Sequence, residues 1–209
     1  MKKVIVFDLW KTLVGEPSTL DGYFPILFKA LDGRITKGEV NQAAEKFIMT
    51  KPVDLKTGVK KICQYFGVVD SRVSQKVKER WAFSCDNCFA FKESLSVLNE
   101  LKKDYQLALI TNTSKYGWEQ VEKKFKLSKY FDLLVLSFEQ GAVKPATKLF
   151  KYVEKKLPAE EYWMIGDSIK SDITPAQLLG WQTVLIDRQR NKSDKRVVNN
   201  LNELNILNS

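Results

Sequence analysis

The stretch VIVFDLWKTLV, residues 4–14, decides the fold that we expect for the rest of the chain. Its first four residues are apolar and rich in β-branched side chains, which is typical of a strand buried on both faces of a sheet. Asp8 follows at the point where this strand should end. Because ligands bind beyond the carboxyl ends of the strands in open α/β sheets, Asp8 is a candidate functional residue. A strand that ends in an aspartate before an ordinary turn would show the same pattern.

Three later stretches favour a functional role for this aspartate. They are LALITNTS (residues 107–114), VKP (residues 143–145) and MIGDSIKSD (residues 164–172). Each contributes a polar residue at or just beyond the end of a predicted strand, and a parallel sheet would bring these residues to one edge beside Asp8. They are Thr111, Lys144 and Asp167.

Strands and helices alternate along the second half of the chain. Helices are predicted over 93–104, 115–126, 147–156, 172–179 and 196–204, and strands over 107–110, 132–136, 162–165 and 182–186. This order predicts an α/β fold with a Rossmann-like, doubly wound parallel sheet and helices on both faces. Residues 188–195 are predicted to be a polar, mobile connection.

A helical insertion separates the first strand from this alternation. Amphipathic segments are predicted near 19–31, 37–50, 57–66 and 71–83, with glycine or proline between them. Thr36 and Glu39 have the spacing of a capping box, which predicts that a helix starts there. We therefore predict an α/β core domain of residues 1–14 and 92–209 and a smaller, all-helical domain of residues 15–91.

The aromatic residues in and beside this insertion are expected to form mainly a small core of the helical domain, with a substrate pocket as the alternative. They are Tyr23, Phe24, Phe28, Trp81, Phe83, Phe89 and Phe91.

Composition limits the functions that are open. The chain of 209 residues is 44% apolar and 28% charged, which suits a globular protein with a sizeable core. It contains no apolar run of the roughly 18 residues that a membrane span needs, and no signal-peptide pattern precedes the first strand. We expect a cytoplasmic protein that does not associate with membranes.

The balance of charges favours an anionic partner. The net charge is +9 and the pI is near 9.3, and a basic protein raises the local concentration of anions. The lysines alternate with glutamates along predicted helices, as on a solvated helix face. Nucleic acid is therefore not the expected partner.

The counts of histidine and cysteine exclude further chemistry. The chain contains no histidine, so hydrolysis that relies on a histidine base and metal sites built on imidazole are both excluded. Three cysteines, an odd number, argue against a secreted disulfide framework. Cys85 and Cys88 have the spacing of half a zinc site, but the chain offers no second pair, and we expect ordinary thiols.

The order of the four motifs resembles the haloacid dehalogenase superfamily. The motifs are strand-Asp-x-x-x-Thr, strand-Thr-Asn, Lys-Pro before a helix and strand-Gly-Asp-x-x-x-x-Asp, and the resemblance extends over residues 2–187. It implies that Asp8 is the nucleophile and that Lys144 keeps Asp8 ionised. It also implies that Thr111, Asn112 and Lys144 bind the oxygens of the transferred group.

The resemblance further implies a Mg²⁺ site. Its ligands would be the Asp8 and Asp167 carboxylates and the main-chain carbonyl of Trp10, with Asp172 as a further ligand or as a support behind the ligands. In this superfamily a helical insertion after the first strand is a cap, which closes over the site and chooses the substrate. Residues 15–91 are therefore expected to be a cap domain.

Trp10 departs from the pattern of the superfamily's phosphatases. Those phosphatases carry a second aspartate two residues after the nucleophile, as general acid and base, and an indole cannot take that role. Lys11 likewise replaces the usual glycine. An aromatic residue at this position resembles the dehalogenase branch, where the intermediate is a carboxylic ester and no leaving oxygen needs a proton. Asp167 and Asp172, however, follow the magnesium-binding pattern of the phosphatase branch.

Three functions are therefore open. The first is a Mg²⁺-dependent phosphatase that forms an aspartyl-phosphate on Asp8 and acts on a small anionic substrate such as a phosphorylated metabolite. General acid–base help is worth about 10²–10⁴ in rate, so Trp10 would slow such an enzyme without excluding it. The loss of rate would be smallest for acyl or aryl phosphates, whose leaving groups need little protonation. The second is a 2-haloacid dehalogenase-like enzyme with an ester on Asp8, for which Arg34 is a loose candidate for the halide site. The third is a catalytically weak or inactive binding protein.

Overall fold

A parallel sheet of six strands forms the centre of the computed structural model, which describes residues 2–17, 22–189 and 196–204. In chain order, the strands in these ranges are β1 (Lys3–Phe7), β2 (Val14–Gly15), β3 (Phe89–Ala90), β4 (Gln106–Thr111), β5 (Leu133–Leu136), β6 (Glu161–Gly166), β7 (Gln182–Ile186) and β8 (Val197–Val198). The order across the sheet is β5-β4-β1-β6-β7-β8, with every neighbouring pair parallel. The chain leaves β1 in one direction and later returns to the other side of it, so a crevice opens at the carboxyl ends of β1 and β6.

Residues of β1 bury apolar side chains on both faces of this sheet. Ile5 and Phe7 pack into one apolar cluster, and Val4 and Val6 pack into another on the opposite face. All four are fully buried, which explains why the strand is a continuous apolar run rather than an alternating one. The Rossmann-like α/β fold predicted from the sequence is confirmed.

Helices cover both faces and form the insertion. They are α1 (Phe24–Ala30), α2 (Lys37–Ala44), α3 (Leu55–Tyr65), α4 (Ser71–Asp86), α5 (Ser94–Leu101), α6 (Lys115–Phe125), α7 (Ser137–Gln140), α8 (Thr147–Lys156) and α9 (Thr174–Gln177). Side chains from α5 and α6 join the cluster that contains Phe7, and side chains from α8 join the cluster that contains Val6.

Helices α1 to α4 have an apolar core of their own. Its buried residues all lie between Leu27 and Cys85, and they include Val40, Ile48 and Ile62. The predicted capping box is confirmed, because the Thr36 hydroxyl accepts a hydrogen bond from the Glu39 N–H while the Glu39 carboxylate accepts one from the Thr36 N–H. The separate core supports the predicted domain boundary at residues 15–91, which stays a prediction.

The helical insertion is joined to the sheet through a short antiparallel ribbon. Val14 pairs with Ala90, and Gly15 pairs with Phe89. A methyl group on Gly15 would lie 2.5 Å from the exposed Phe89 ring, so a larger residue there would require this ring to move. No helix in the described ranges combines the length and hydropathy that a bilayer crossing requires.

Two predicted helices are wrong in detail. Instead of a helix over 196–204, the chain forms β8, which pairs with β7, and then a single 3₁₀ turn over Leu201–Glu203. Two adjacent valines favour an edge strand once a neighbouring strand is available. The helix predicted over 172–179 begins as a π-helical turn at Ile169–Ile173 because the Ser168 hydroxyl caps it, and it continues only through α9.

The predicted mobile connection over 188–195 is wrong at its start, where Arg188 makes several fixed contacts. Residues 190–195 lie outside the described residues.

Candidate active site

Asp8 lies where β1 ends, in the crevice between β1 and β6. Its main-chain N–H donates to the carbonyl of Ile165 at 2.9 Å, which extends the pairing of the two strands to this residue. The Lys144 ammonium lies 2.5 Å from Asp8 Oδ1 and 2.5 Å from Asp172 Oδ1. All three side chains are buried, so one ammonium bridges two carboxylates that come from distant parts of the sequence.

Asp167 completes a cluster of three carboxylates. One oxygen atom from each of Asp8, Asp167 and Asp172 lies within 4.8 Å of the others. A single ammonium against three carboxylates leaves two formal negative charges when all are ionised, and carboxylate oxygens are the ligands that Mg²⁺ prefers. The donor set therefore fits a divalent cation.

Close packing holds Asp172 at the back of this cluster. The Ser168 N–H donates to Asp172 Oδ2 at 3.0 Å. A methyl group on Gly166 would overlap the Asp172 carboxylate. The glycine of the Gly-Asp motif is thus required because Asp172 passes directly over it.

Burial and charge perturb the titration of the cluster. Burial raises the pKa of Asp8 to about 7, with Lys144 lowering it and the Asp172 and Asp167 carboxylates raising it further. Burial and Asp172 also raise the pKa of Asp167. Burial alone would lower the pKa of Lys144, but the charges of Asp8 and Asp172 and their hydrogen bonds outweigh it and raise that pKa. A cation among the three carboxylates would favour the ionised form of Asp8 that a nucleophile needs.

Thr111 and Asn112 follow β4 at the same edge of the sheet. Thr111 is fully buried, and its hydroxyl oxygen has no hydrogen-bond partner among the described residues, as expected of a group held ready for a ligand. The Asn112 amide instead donates to the Lys144 carbonyl at 3.1 Å and accepts from the Lys144 N–H at 2.7 Å. Its side chain therefore positions Lys144, and a role in substrate binding stays a prediction for its main-chain N–H.

Trp10 lies in the tight loop that follows Asp8. Its indole N–H donates to the Thr113 hydroxyl at 3.2 Å, so its orientation is fixed. Lys11 adopts a φ of 62°, the left-handed conformation that a glycine would adopt without strain. The loop thus keeps a conformation suited to glycine even though the sequence has a lysine.

Arg188 is a residue of the site region that sequence reasoning missed. Its guanidinium donates to the Lys11 carbonyl at 3.1 Å and to the Thr12 carbonyl at 2.6 Å. It also pairs with Glu93 at 2.8 Å and lies 3.5 Å from the centre of the Phe91 ring. Arg188 therefore ties the loop after the nucleophile to the segment by which the chain returns from the helical insertion.

A cavity of ≈ 260 Å³ lies between the helical insertion and the sheet. Trp10 and Asn112 contribute to its wall from the sheet side, and Tyr23 and Trp81 contribute from the insertion. The two insertion residues stack with ring centroids 4.6 Å apart, and both also contact the core of helices α1 to α4. The prediction that the aromatic residues form mainly that core is therefore only partly correct for Tyr23 and Trp81, which also line the cavity.

The family is decided by comparison with known proteins. Residues 5–186 match the family described as haloacid dehalogenase-like hydrolase. The chain belongs to this family. The four motifs by which the sequence resembled it all lie within or next to the crevice described above.

Two relatives of this haloacid dehalogenase-like chain are phosphatases by name. The ribulose-1,5-bisphosphate 5-phosphatase of Halopiger xanaduensis is 35% identical over 98 residues, which are 46% of this chain and 40% of that protein. The glyceraldehyde 3-phosphate phosphatase of Methanocaldococcus jannaschii is 34% identical over 125 residues, which are 54% of each protein. The chain thus spans about half or less of the length of these relatives.

Solved structures of the family share the fold over nearly the whole chain. The HAD family enzyme BT-2542 of Bacteroides thetaiotaomicron has a TM-score of 0.70 at 21% identity and covers 89% of this chain and 94% of its own. Its complex with magnesium and inorganic phosphate has a TM-score of 0.68 at 21% identity and covers 93% and 98%. The 2-haloacid dehalogenase of Pseudomonas syringae pv. Tomato DC3000 has a TM-score of 0.67 at 19% identity and covers 98% and 96%. At these identities the likeness shows the fold alone.

Proposed function

We propose that this chain is a Mg²⁺-dependent phosphatase that acts on small phosphorylated molecules through an aspartyl-phosphate on Asp8. The observation that carries the proposal is the cluster of Asp8, Asp167 and Asp172 around Lys144. A binding protein has no need of a buried carboxylate at the nucleophile's position. The names of the two relatives and the magnesium and phosphate complex of BT-2542 support the same chemistry.

The proposed first step transfers the phosphoryl group to the protein. A carboxylate oxygen of Asp8 forms a bond to phosphorus while the bond from phosphorus to the leaving oxygen breaks, and the leaving group departs as an oxyanion. Lys144 holds Asp8 in place and offsets part of its charge. The Thr111 hydroxyl, which has no partner among the residues that the structure describes, donates to an oxygen of the transferred group.

The proposed second step returns the protein to its starting state. Water attacks phosphorus, the bond between phosphorus and Asp8 breaks, and both protons of the water leave with the dihydrogen phosphate product. Carboxylate is a good leaving group and needs no proton from Trp10. The absence of a general acid therefore slows the first step, and the absence of a general base slows the attack of water in the second.

A magnesium ion would be held by Asp8 and Asp167, with Asp172 as ligand or support and with the Trp10 carbonyl. When bound, it would supply positive charge that offsets the repulsion between Asp8 and a phosphate dianion. Burial raises the pKa of Asp8 to about 7, and the positive charge of a bound cation would lower that pKa.

Trp10 also favours the dehalogenase hypothesis, since an ester-forming enzyme needs no acid at this position. Arg34, the loose candidate for its halide site, is exposed and pairs with Asp32 at 3.2 Å. It does not line the cavity beside Trp10. Three carboxylates would also repel the carboxylate of a haloacid, so we place this function second. Halide release from 2-chloropropionate without metal, lost in Asp8→Asn, would reverse the order.

Phosphate release from 4-nitrophenyl phosphate tests the proposal. We expect turnover by the unchanged chain with Mg²⁺, and we expect its loss both in Asp8→Asn and after metal removal with a chelator. Asp104→Asn is the matched control because Asp104 is an exposed aspartate outside the carboxylate cluster. Turnover that survives in Asp8→Asn would contradict the proposal, as would no turnover with any of a panel of phosphate monoesters.

A further inference from the structure

We propose that the cavity beside Trp10 binds an aromatic ring in the leaving group, so that the preferred substrates are aryl phosphates whose ring is uncharged or cationic. This inference rests on the proposed phosphatase function and adds to it the class of the leaving group. It comes from the walls of the cavity, from its place next to the nucleophile and from the chemistry that Trp10 removes.

Three aromatic side chains contribute to the walls of the cavity. Trp10, Tyr23 and Trp81 reach it from three separate parts of the chain, and Met49 adds a thioether. Tyr23 and Trp81 are nearly parallel, with an interplanar angle of 14°, so together they form one stacked wall. Aromatic rings and a thioether provide offset-stacking, edge-on and sulphur contacts, which a planar ring exploits better than a saturated group does.

The cavity lies beside the proposed catalytic site. Trp10 is two residues from Asp8, and Asn112 follows Thr111 directly. The Asn112 amide also holds the main chain of Lys144, whose ammonium contacts Asp8. We therefore expect the leaving group of a phosphate ester bound at Asp8 to reach the cavity wall that Trp10 forms.

The chemistry of leaving groups points to the same class independently. Trp10 cannot protonate the leaving oxygen. An oxygen attached directly to an aromatic ring leaves as a phenoxide, whose conjugate acid has a pKa of about 10 as in tyrosine. An alkyl leaving oxygen is far more basic and depends much more on an acid. A site with Trp10 in place of the acid thus suits aryl esters best.

The charge of the cavity limits the proposed class of substrates further. Glu16 lines it, and the described lining residues include no lysine or arginine. Burial is the main reason that the pKa of Cys85 is raised to about 12, and the Glu16 carboxylate contributes next, so its charge acts inside the cavity. A leaving group with its own phosphate or carboxylate is disfavoured there. This separates the proposed substrates from a bisphosphate, the substrate named for the Halopiger relative.

Binding of non-hydrolysable analogues to the unchanged chain is the first test. Calorimetry in Mg²⁺ buffer compares benzylphosphonate with cyclohexylmethylphosphonate, which has a saturated ring of similar size. We expect the aromatic analogue to bind roughly fivefold more tightly. We also expect 4-carboxybenzylphosphonate to bind more weakly than benzylphosphonate and to regain affinity in Glu16→Gln. Equal affinities for the aromatic and saturated rings would overturn the proposal.

Turnover of a matched pair of esters is the second test. Phenyl phosphate and benzyl phosphate carry the same ring, but only the first has a phenolic leaving oxygen. We expect kcat/KM for phenyl phosphate, which reports the step that releases the leaving group, to exceed that for benzyl phosphate by about 10² or more. We expect Trp10→Asp to narrow this ratio by restoring an acid. A ratio near one in the unchanged chain would contradict the proposal.

Two substitutions test whether the aromatic ring of the analogue binds in the cavity. Trp81→Leu should reduce the affinity for benzylphosphonate to that for the saturated analogue, while Phe83→Leu should not change it. Phe83 lies on the same helix but is exposed and does not line the cavity. If Trp81→Leu does not fold, the comparison of analogues on the unchanged chain decides by itself.

The two proposals fail in different ways. Turnover that needs Asp8 but shows no preference for the aromatic ring would overturn this inference and leave the phosphatase function standing. Absence of Asp8-dependent turnover with every phosphate monoester would overturn both.

Discussion

Replacing Asp8 with asparagine should stabilise the metal-free protein at neutral pH. Burial raises the pKa of Asp8 from 3.8 to about 7; Lys144 offsets this only in part, and the like charges of Asp172 and Asp167 add to it. Asparagine is neutral at every pH and nearly the same size. The substitution therefore removes a charge that the folded state accommodates poorly, as is common where function opposes stability.

The size and sign of the effect follow from this pKa. One unit corresponds to about 1.36 kcal/mol, so the shift sets an upper value of roughly 4 kcal/mol for the cost of ionised Asp8 to the folded state. Because the folded pKa is higher than the unfolded pKa, the folded protein binds more protons between pH 3.8 and about 7. The contribution of Asp8 to the free energy of unfolding thus falls as the pH rises through that window, and Asp8→Asn should gain its advantage there.

Guanidinium unfolding in chelator at pH 4, 5, 6 and 7 measures the difference between the two proteins. We expect almost no difference at pH 4 and a stabilisation by Asp8→Asn of up to about 4 kcal/mol at pH 7. The exposed Asp104→Asn should stay within about 0.5 kcal/mol of the unchanged chain at each pH. A difference that does not grow with pH, or that favours Asp8 at pH 7, would refute the electrostatic reasoning. Saturating Mg²⁺ should then stabilise the unchanged chain more than Asp8→Asn.

Three further substitutions probe the supports of the site and of the insertion. Gly166→Ala should displace the Asp172 carboxylate, because the added methyl group overlaps it. Mg²⁺ binding measured by calorimetry should weaken at least tenfold, about the lower limit for the loss of a group that supports a metal ligand. An unchanged affinity would contradict this close approach. Arg188→Lys should lower the free energy of unfolding by about 1–3 kcal/mol, because lysine cannot hold both loop carbonyls and Glu93 at once. Arg188→Lys should also lower kcat in phosphate-release kinetics while changing KM little, whereas a purely structural role would leave kcat intact. Thr36→Ala should cost about 1 kcal/mol in thermal unfolding through loss of the helix cap, while Thr36→Ser should restore most of it.

Much of the fold was predictable because its signals are local. The apolar run before Asp8 predicts a central strand, and the spacing of Thr36 and Glu39 predicts the start of a helix, since each depends on residues close in sequence. The predictions fail where a residue that is distant in sequence determines the local structure. Val197 and Val198 form a strand because β7 offers an edge to pair with. Arg188 is fixed by carbonyls 176 and 177 positions away.

The candidate site was also predictable only in part. The four motifs placed Asp8, Thr111, Lys144 and Asp167 at one edge of a parallel sheet, because the carboxyl ends of parallel strands share an edge. The motifs could not show that the Asn112 amide holds the Lys144 main chain, or that the Thr111 hydroxyl oxygen has no hydrogen-bond partner within the described part of the chain. Those facts depend on side-chain geometry between separate loops.

The sequence by itself determined the chemical limits of this protein. It contains no histidine, it supplies the carboxylates and the lysine, and it places Trp10 where a general acid would act. Only the tertiary structure decided that Lys144, 136 positions from Asp8, bridges it to Asp172, and that Trp10 meets Tyr23 and Trp81 around one cavity. The physical reason is that a local pattern selects the conformation of a segment, whereas the field at a buried group and the shape of a cavity arise from segments that packing alone brings together.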